Sequence, residues 1–360
     1  MPLPFPVPLS PMLAKSSDHL PDGEGWLFEP KWDGFRCIVE RDGNEVNLSS
    51  RNGRSLSRYF PEMVGGALAA LPPGAVVDGE LVVPRLDRPG LDFDALSQRI
   101  HPAASRVNRL AAETPSLFVA FDLLARDGES FLARPFRDRR AALEDLTPRS
   151  EPLTTRVALT PLTDDVAVAA RWFTQFEGAG LDGIVAKRAD GPYTPGERTM
   201  IKVKHERSAD CVVAGYRVHK DGRGVGSLLL GLFDAAGVLH HVGVASSFTA
   251  KRRAALLEEL AALVPTDLND HPWRDWAMAS AHETARLPGG QSRWTGDKDL
   301  SFVALRPELV AEVRFSQLQG DRFRHGASLV RWRPDREPSS CTYEQLEVAT
   351  PVELAELLRA

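Results

Sequence analysis

The chain is 360 residues long, more than one hydrophobic core usually supports, so two domains are expected. A content of 43% apolar and 26% charged residues, with no run of 18 apolar positions, excludes an extended disordered chain and a helical membrane protein. The net charge of −5 is shared evenly, with 26 basic and 29 acidic residues up to position 208 and 18 and 20 after it. A nucleic-acid partner therefore has to be argued from local patches.

The opening "MPLPFPVPLSPMLAK" lacks the charged start and continuous apolar centre of a secretion signal and reads as a Pro-rich extended arm on a cytoplasmic protein. Cys37, Cys211 and Cys341 lie far apart and form no C-x-x-C pair, so neither a zinc site nor a disulfide framework is expected. "RCIVE" and "EVNLSS" flank the Asp-Gly turn in "RDGN", and "AVVDGELVV" and "SLFVAFDLL" follow as further antiparallel strands. In "DDVAVAARWFTQFEGAG" the spacing predicts a helix capped by Thr163, with Val166, Ala170, Phe173 and Phe176 on its buried face. Strand pattern resumes at "DGIVAKR" and "MIKVKHE".

Near residue 208 the character changes. "CVVAGYRV", "SLLLGLFD" and "VLHHVGVASSF" read as three strands on Gly-rich turns, followed by a helix over "TAKRRAALLEELAAL" with Thr249 as cap and Pro265 beyond its end. "LVAEVRFSQL" and "SLVRWRP" are later strands, while residues 265–300, with Trp273, Trp276 and Trp294, give few strand signals. The expected class is α+β: antiparallel sheets and helices over 1–208, then a small β-barrel of the oligonucleotide-binding (OB) kind over 209–360.

The stretch "EPKWDGFRC", residues 29–37, sets Lys31 between a proline and a tryptophan, with Asp33 and Arg36 close behind. Lys-x-Asp-Gly-x-Arg can be a polar hairpin end; it can also carry a nucleophilic lysine, which requires an amine kept partly unprotonated by burial or nearby cations. Transfer of a nucleotide to such a lysine needs more: cations for a triphosphate, carboxylates for a divalent metal, and an aromatic face for the base. The chain supplies candidates in order: "SRNG" with Arg51, "DGEL" with Glu80, "FVAFDLL" with Phe121, "LDGIVAK" with Asp182, and "IKVK" with Lys202 and Lys204. Singly these are weak, since Arg51 reads equally as a turn cation, Glu80 and Asp182 as acids beside Gly turns, and Phe121 as a core aromatic. Lys202 and Lys204 tell more, because at i and i+2 on a strand they share a face, which is costly unless an anion lies between them.

This ordered set resembles the covalent nucleotidyltransferase superfamily, and most closely the ATP-dependent DNA ligases of the short bacterial ligase C type, with an ATP-grasp-like adenylation domain followed by an OB-fold domain. The resemblance runs from "PMLAK" to "RPELVAEVRFSQLQGDRFRHGASLVRWRPDREP". It implies that Lys31 is the adenylated nucleophile, with Asp33 orienting the amine or the metal. It implies that Glu29 reads the adenine edge and that Phe121 stacks on the base. Arg36, Arg51 and Glu80 match positions that contact ribose or phosphate, and Lys202 and Lys204 those that grip the α-phosphate. Arg333, Asp335 and Arg336 resemble the final motif, near the leaving pyrophosphate. Magnesium or manganese is implied as cofactor, with Glu80 and Asp182 toward the metal.

Two positions depart from the family pattern. Asp182 stands where glutamate is usual, and Arg336 where lysine is common. The implied reaction forms lysyl-AMP, passes AMP to the 5′-phosphate of a nick in duplex DNA, and seals it with the 3′-hydroxyl. A repair role beside a separate polymerase or end-binding partner, and a monomeric state, are implied as well. Between Arg314 and Arg336, six arginines face two acidic residues and interleave with Phe315, Phe323 and Trp332, which is expected to form a basic, aromatic DNA-holding stripe. The rival readings are an RNA ligase, a capping guanylyltransferase, or a non-catalytic nucleic-acid-binding relative.

Overall fold

The computed structural model describes residues 3–85, 89–147, 155–179, 181–277, 301–346 and 358. The chain forms two compact units: Met1–His205, against whose core Leu358 packs, and Glu206–Glu347.

In the first unit the strands are β1 (Leu13–Ser17), β2 (Trp26–Lys31), β3 (Phe35–Asp42), β4 (Glu45–Ser50), β5 (Val76–Val82), β6 (Leu117–Arg126), β7 (Glu129–Ser130), β8 (Val157–Leu159), β9 (Gly183–Arg188) and β10 (Arg198–Lys204). Its helices include α1 (Pro61–Ala70), α2 (Phe93–Gln98), α3 (Ala104–Glu113), α4 (Phe136–Leu146) and α5 (Val166–Gln175). One sheet has the order β1-β10-β9-β2 and the other β4-β3-β5-β6-β7, with β8 beside β6. The pairs are antiparallel as expected except β1 with β10 and β6 with β8, which are parallel. Both parallel pairs join segments distant in sequence, which short-range turn signals cannot reveal.

Helix α5 forms where expected, but its cap and its face differ. Asp165 is the cap, accepting from Ala167 N at 2.7 Å, while Thr163 Oγ1 accepts from Asp165 N at 3.1 Å one step earlier. The buried face is Ala169, Trp172 and Phe176, and Val166 is 44% exposed. A one-residue rotation of the stripe brings Trp172, the largest side chain of the helix, into the core and lets the Phe173 ring stack on His205 at 3.8 Å between centroids.

The second unit contains β11 (Arg207–Val218), β12 (Val225–Phe233), β13 (Leu239–Ala245), α6 (Ala250–Leu260), α7 (Arg274–Ala277), β14 (Val303–Phe315), β15 (Leu318–Gln319), β16 (Arg322–Phe323) and β17 (Ser328–Trp332). Five strands pair in the order β13-β12-β11-β14-β17. The two edges meet at a bridge between Ala245 and Ala327, so the sheet curls back on itself in the manner of a partly closed five-stranded barrel. Thr249 caps α6 as expected, its Oγ1 accepting from Arg252 N at 3.2 Å. Trp273 and Trp276 are buried in this unit's core, and Trp294 lies outside the described residues.

Candidate active site

Strand alternation builds the site. Odd-numbered residues of β2 and β9 and even-numbered residues of β10 share one face, because Lys31 pairs with Gly183 and Gly183 with Lys204, while Glu29 pairs with Val185 and Val185 with Lys202. The opposite face, with Phe28, Ile184, Ala186 and Ile201, packs in the core that holds Ala169 and Trp172 of α5. Paired Arg36 and Glu80 on β3 and β5, and Phe121 on β6, face the first set across a cleft of about 240 Å³. Lys31, Glu29, Arg51, Lys202 and Lys204 line the same cleft. Asp33 sits, half-buried, in the turn between β2 and β3.

At one end Asp182 binds two lysines through a single oxygen, with Lys31 Nζ and Lys204 Nζ each 2.6 Å from Oδ2. Burial works against the charge of Asp182, but the two ammonium groups hold its carboxyl below the usual range. Gly183 follows with φ +141°, and a Cβ there would lie 2.0 Å from Val203 O, so only glycine lets β9 and β10 close beside this carboxylate. Lys202 has its pKa lowered by burial and then by Lys204, Lys31, Arg198 and Arg51. Such a concentration of cations is relieved by a bound anion.

Sequence reasoning placed Lys31 among cations; the structure sets Asp182 against it as well. The expected metal residues fit a divalent cation in two respects. Asp182 Oδ1 is buried without a hydrogen-bond partner among the described residues. Burial pushes the Glu80 carboxyl up to about 7 against the pull of Arg36 and Lys31, a cost that a nearby cation would offset. Among the described residues no group of three or more His, Cys, Asp or Glu converges.

Further along the same face Glu29 is 3% exposed and paired with Lys187 at 2.7 Å and Arg140 at 3.5 Å. The Phe121 ring lies 4.4 Å from the Arg36 guanidinium and 4.7 Å from Lys187 Nζ. Arg36 donates twice to Asp78, at 2.6 Å each, and burial is outweighed by that carboxylate so that its pKa stays raised. Tyr193 OH donates to Asp78 Oδ2 at 2.6 Å and accepts from Met12 N at 2.9 Å, which ties the N-terminal arm to the site.

Several of these residues escaped sequence reasoning. Lys187 stands in "LDGIVAK", where its spacing alone gives it no role. Arg139 and Arg140, in "FRDRR", look like the solvated face of α4, yet both are buried and turned onto Asp122 and Glu29. Arg139 reaches its acid across 17 residues and Arg140 across 111, spans that local pattern does not expose.

In the second unit Arg333 binds Asp210 at 2.9 Å and Asp335 at 2.8 Å, and Arg336 Nε is 3.4 Å from Asp210. The expected unbalanced basic stripe needs correction. Arg314 pairs with Glu206, just ahead of β11, at 3.1 Å and Arg331 with Glu312 on the adjacent β14 at 2.7 Å, so acids from other segments supply balance that a count over 314–336 misses. Phe315 and Phe323 stack on each other at 4.4 Å inside the core, and Trp332 Nε1 donates to Glu259 at 2.9 Å.

Fold and site together are those of a nucleotide-binding unit with a lysine-lined cleft, joined to a small curled β unit. Residues 11–204 match the ATP dependent DNA ligase domain, and residues 221–336 the ATP dependent DNA ligase C terminal region. The chain is 54% identical over 349 residues to DNA ligase C2 of Mycolicibacterium smegmatis, covering 96% of each. It is 52% identical over 360 residues to DNA ligase C of Mycobacterium tuberculosis, covering 99% of each. A solved structure from a study of Lig E DNA ligases binding DNA with a minimal scaffold overlays with TM-score 0.55 at 21% identity, over 90% of this chain and 99% of that one, and shares the fold. The chain belongs to the ATP-dependent DNA ligase family, in the ligase C group.

Proposed function

We propose that this chain seals nicks between 3′-hydroxyl and 5′-phosphate ends in duplex DNA through AMP carried on Lys31. The observation that carries the reading is the convergence of Lys31 and Lys204 on buried Asp182, with Lys202 in the same cleft, on the same sheet face as Glu29 and opposite Phe121. A purine between Phe121 and the sheet, with its edge toward Glu29, directs the triphosphate toward the lysines.

Lys31 Nζ attacks the α-phosphorus, forming the N–P bond as the bond to pyrophosphate breaks, and the amine's proton leaves toward Asp182 or solvent. Lys202 and Lys204 take the charge of the α-phosphate. Arg36, fixed by Asp78, and Arg51 contact ribose or phosphate, and Asp33 orients the amine. Magnesium, held by Glu80 and Asp182, would neutralise phosphate charge and favour departure of pyrophosphate. AMP then passes from Lys31 to the 5′-phosphate, and the 3′-hydroxyl displaces it.

The same proposal assigns Met1–His205 to adenylation and Glu206–Glu347 to the OB-fold role, with Arg333, Asp335 and Arg336 acting on pyrophosphate. It includes nicked duplex DNA as substrate, a repair role with a polymerase or end-binding partner, a monomeric state, and the cytoplasm, where ATP and DNA meet. Intact mass after incubation with ATP and magnesium tests it: a gain of one AMP is expected, and its absence overturns the reading.

A further inference from the structure

We infer that Lys187 and Arg140 set the base preference of the cleft by holding Glu29 as a bare carboxylate, a hydrogen-bond acceptor only. In that form it takes the exocyclic amino group of adenine and repels the carbonyl that guanine presents at the same position. The inference rests on the proposed reading that Glu29 faces the base.

The geometry brings both cations against this acid, Arg140 while also paired with Glu144. Lys187, 3% exposed on β9, places Nζ 2.7 Å from Glu29 Oε2 and donates to Phe121 O at 3.1 Å. Its ammonium also lies 4.7 Å from the Phe121 ring, so a single cation locates both groups that would meet a purine. Arg140, from α4, reaches Glu29 Oε1 at 3.5 Å while its Nη2 donates to Thr160 O at 2.7 Å and its Nε to Glu144 at 2.8 Å. A further charge facing Glu29 is Asp122 on β6, 4.0 Å from Lys187 and already occupied by a two-pronged bond from Arg139 at 2.7 and 3.0 Å. Asp122 therefore competes weakly for Lys187.

Burial pushes the Glu29 carboxyl above its ordinary value even with Lys187 and Arg140 opposing it. Loss of one cation leaves the other as the only opposing charge of the pair and moves this buried acid further toward its protonated form. A protonated Glu29 offers an O–H donor, which suits a carbonyl at the purine 6-position and weakens the grip on an amino group. Lys187 and Arg140 are thus positioning residues, acting on the base through Glu29.

The test is the ATP-to-GTP ratio of kcat/KM for adduct formation on Lys31, followed from about pH 6.5 to about pH 9. The wild-type ratio is expected to stay flat. In Lys187→Met it is expected to fall at least about tenfold at the acid end, through KM more than kcat, and to recover as pH rises and Glu29 ionises. Lys187→Arg should keep the wild-type profile. Arg140→Met should move the ratio in the same direction by less, and it decides alone if Lys187→Met does not fold. A folded variant with a lowered melting temperature but the flat wild-type ratio overturns the inference. Glu29→Gln separates the two layers. If it leaves the ratio untouched, the base-facing reading of Glu29 fails; if it moves the ratio while Lys187→Met and Arg140→Met do not, only the present inference fails.

Discussion

The ammonium of Lys31 rests 2.6 Å from the carboxylate of Asp182, on an oxygen that it shares with Lys204. A nucleophile held this way is oriented before substrate arrives, and an incoming phosphate competes for both lysines at once. Lys31→Ala is expected to abolish AMP adduct formation while circular dichroism stays unchanged, since the side chain is partly exposed and fills no core space. An AMP mass on the purified variant would move the nucleophile elsewhere.

Asp182→Asn keeps the shape and removes the charge. Two ammonium groups then lose their common partner, and the proposed metal loses one ligand charge. Adduct formation is expected to fall by at least about tenfold at low magnesium, with part of the loss regained as magnesium rises. A magnesium titration parallel to that of the wild type would leave Asp182 a purely structural acid.

The depressed pKa of Lys202 predicts a pH effect on nucleotide binding. Its charge is lost at lower pH than that of an ordinary lysine, because burial and four neighbouring cations disfavour it. Affinity for ATP should therefore weaken on the alkaline side before unperturbed lysines titrate, and ATP binding there should take up protons. Lys202→Arg, which stays charged, is expected to flatten the alkaline limb. Calorimetric titrations in two buffers of different ionisation enthalpy measure the proton uptake; none, with an unchanged limb, contradicts the assignment.

Away from the cleft, Arg99 and Glu62 form a buried pair at 2.7 and 2.8 Å, and Ser116 donates to the same acid. Burial works against Glu62, but these partners lower its carboxyl below the ordinary value. Its contribution to stability is present above the unfolded pKa, about 4.3, and is lost as pH falls through the lower folded value. Arg99→Leu leaves this acid buried without its counter-charge, held by Ser116 alone of these partners, at a cost of about 3 kcal/mol at neutral pH. Urea unfolding of the variant should approach the wild type only as pH falls through the lowered folded value of Glu62, below which the acid is protonated in both. A constant gap across pH would refute the charge-based account.

What the sequence disclosed followed from signals that are local. Period-two alternation located β3 to β6, β9 and β10, and the like-charged pair Lys202 and Lys204 pointed to one strand face before any distance was known. What stayed hidden depends on long loops closing. Nothing near Arg140 in sequence announces Glu29, 111 positions away, and nothing near Arg314 or Arg331 announces Glu206 or Glu312 as partners. The face of α5 was misread because two stripes one residue apart are both apolar, and only the wall opposite selects the one with Trp172.

Pairing of β1 with β10 joins residues 13–17 to residues 198–203, and β2 meets β9 across a comparable span. Contacts this distant in sequence form late, after much loop-closure entropy has been overcome. During synthesis, Lys31 emerges from the ribosome long before Gly183 and Lys204, so the strand that carries it waits without its neighbour through the translation of some 150 residues, about 8 to 30 seconds at ordinary elongation rates. A nascent chain halted before Asp182 would carry the reactive lysine but neither that acid nor the paired lysines, and so could not hold a nucleotide in this cleft.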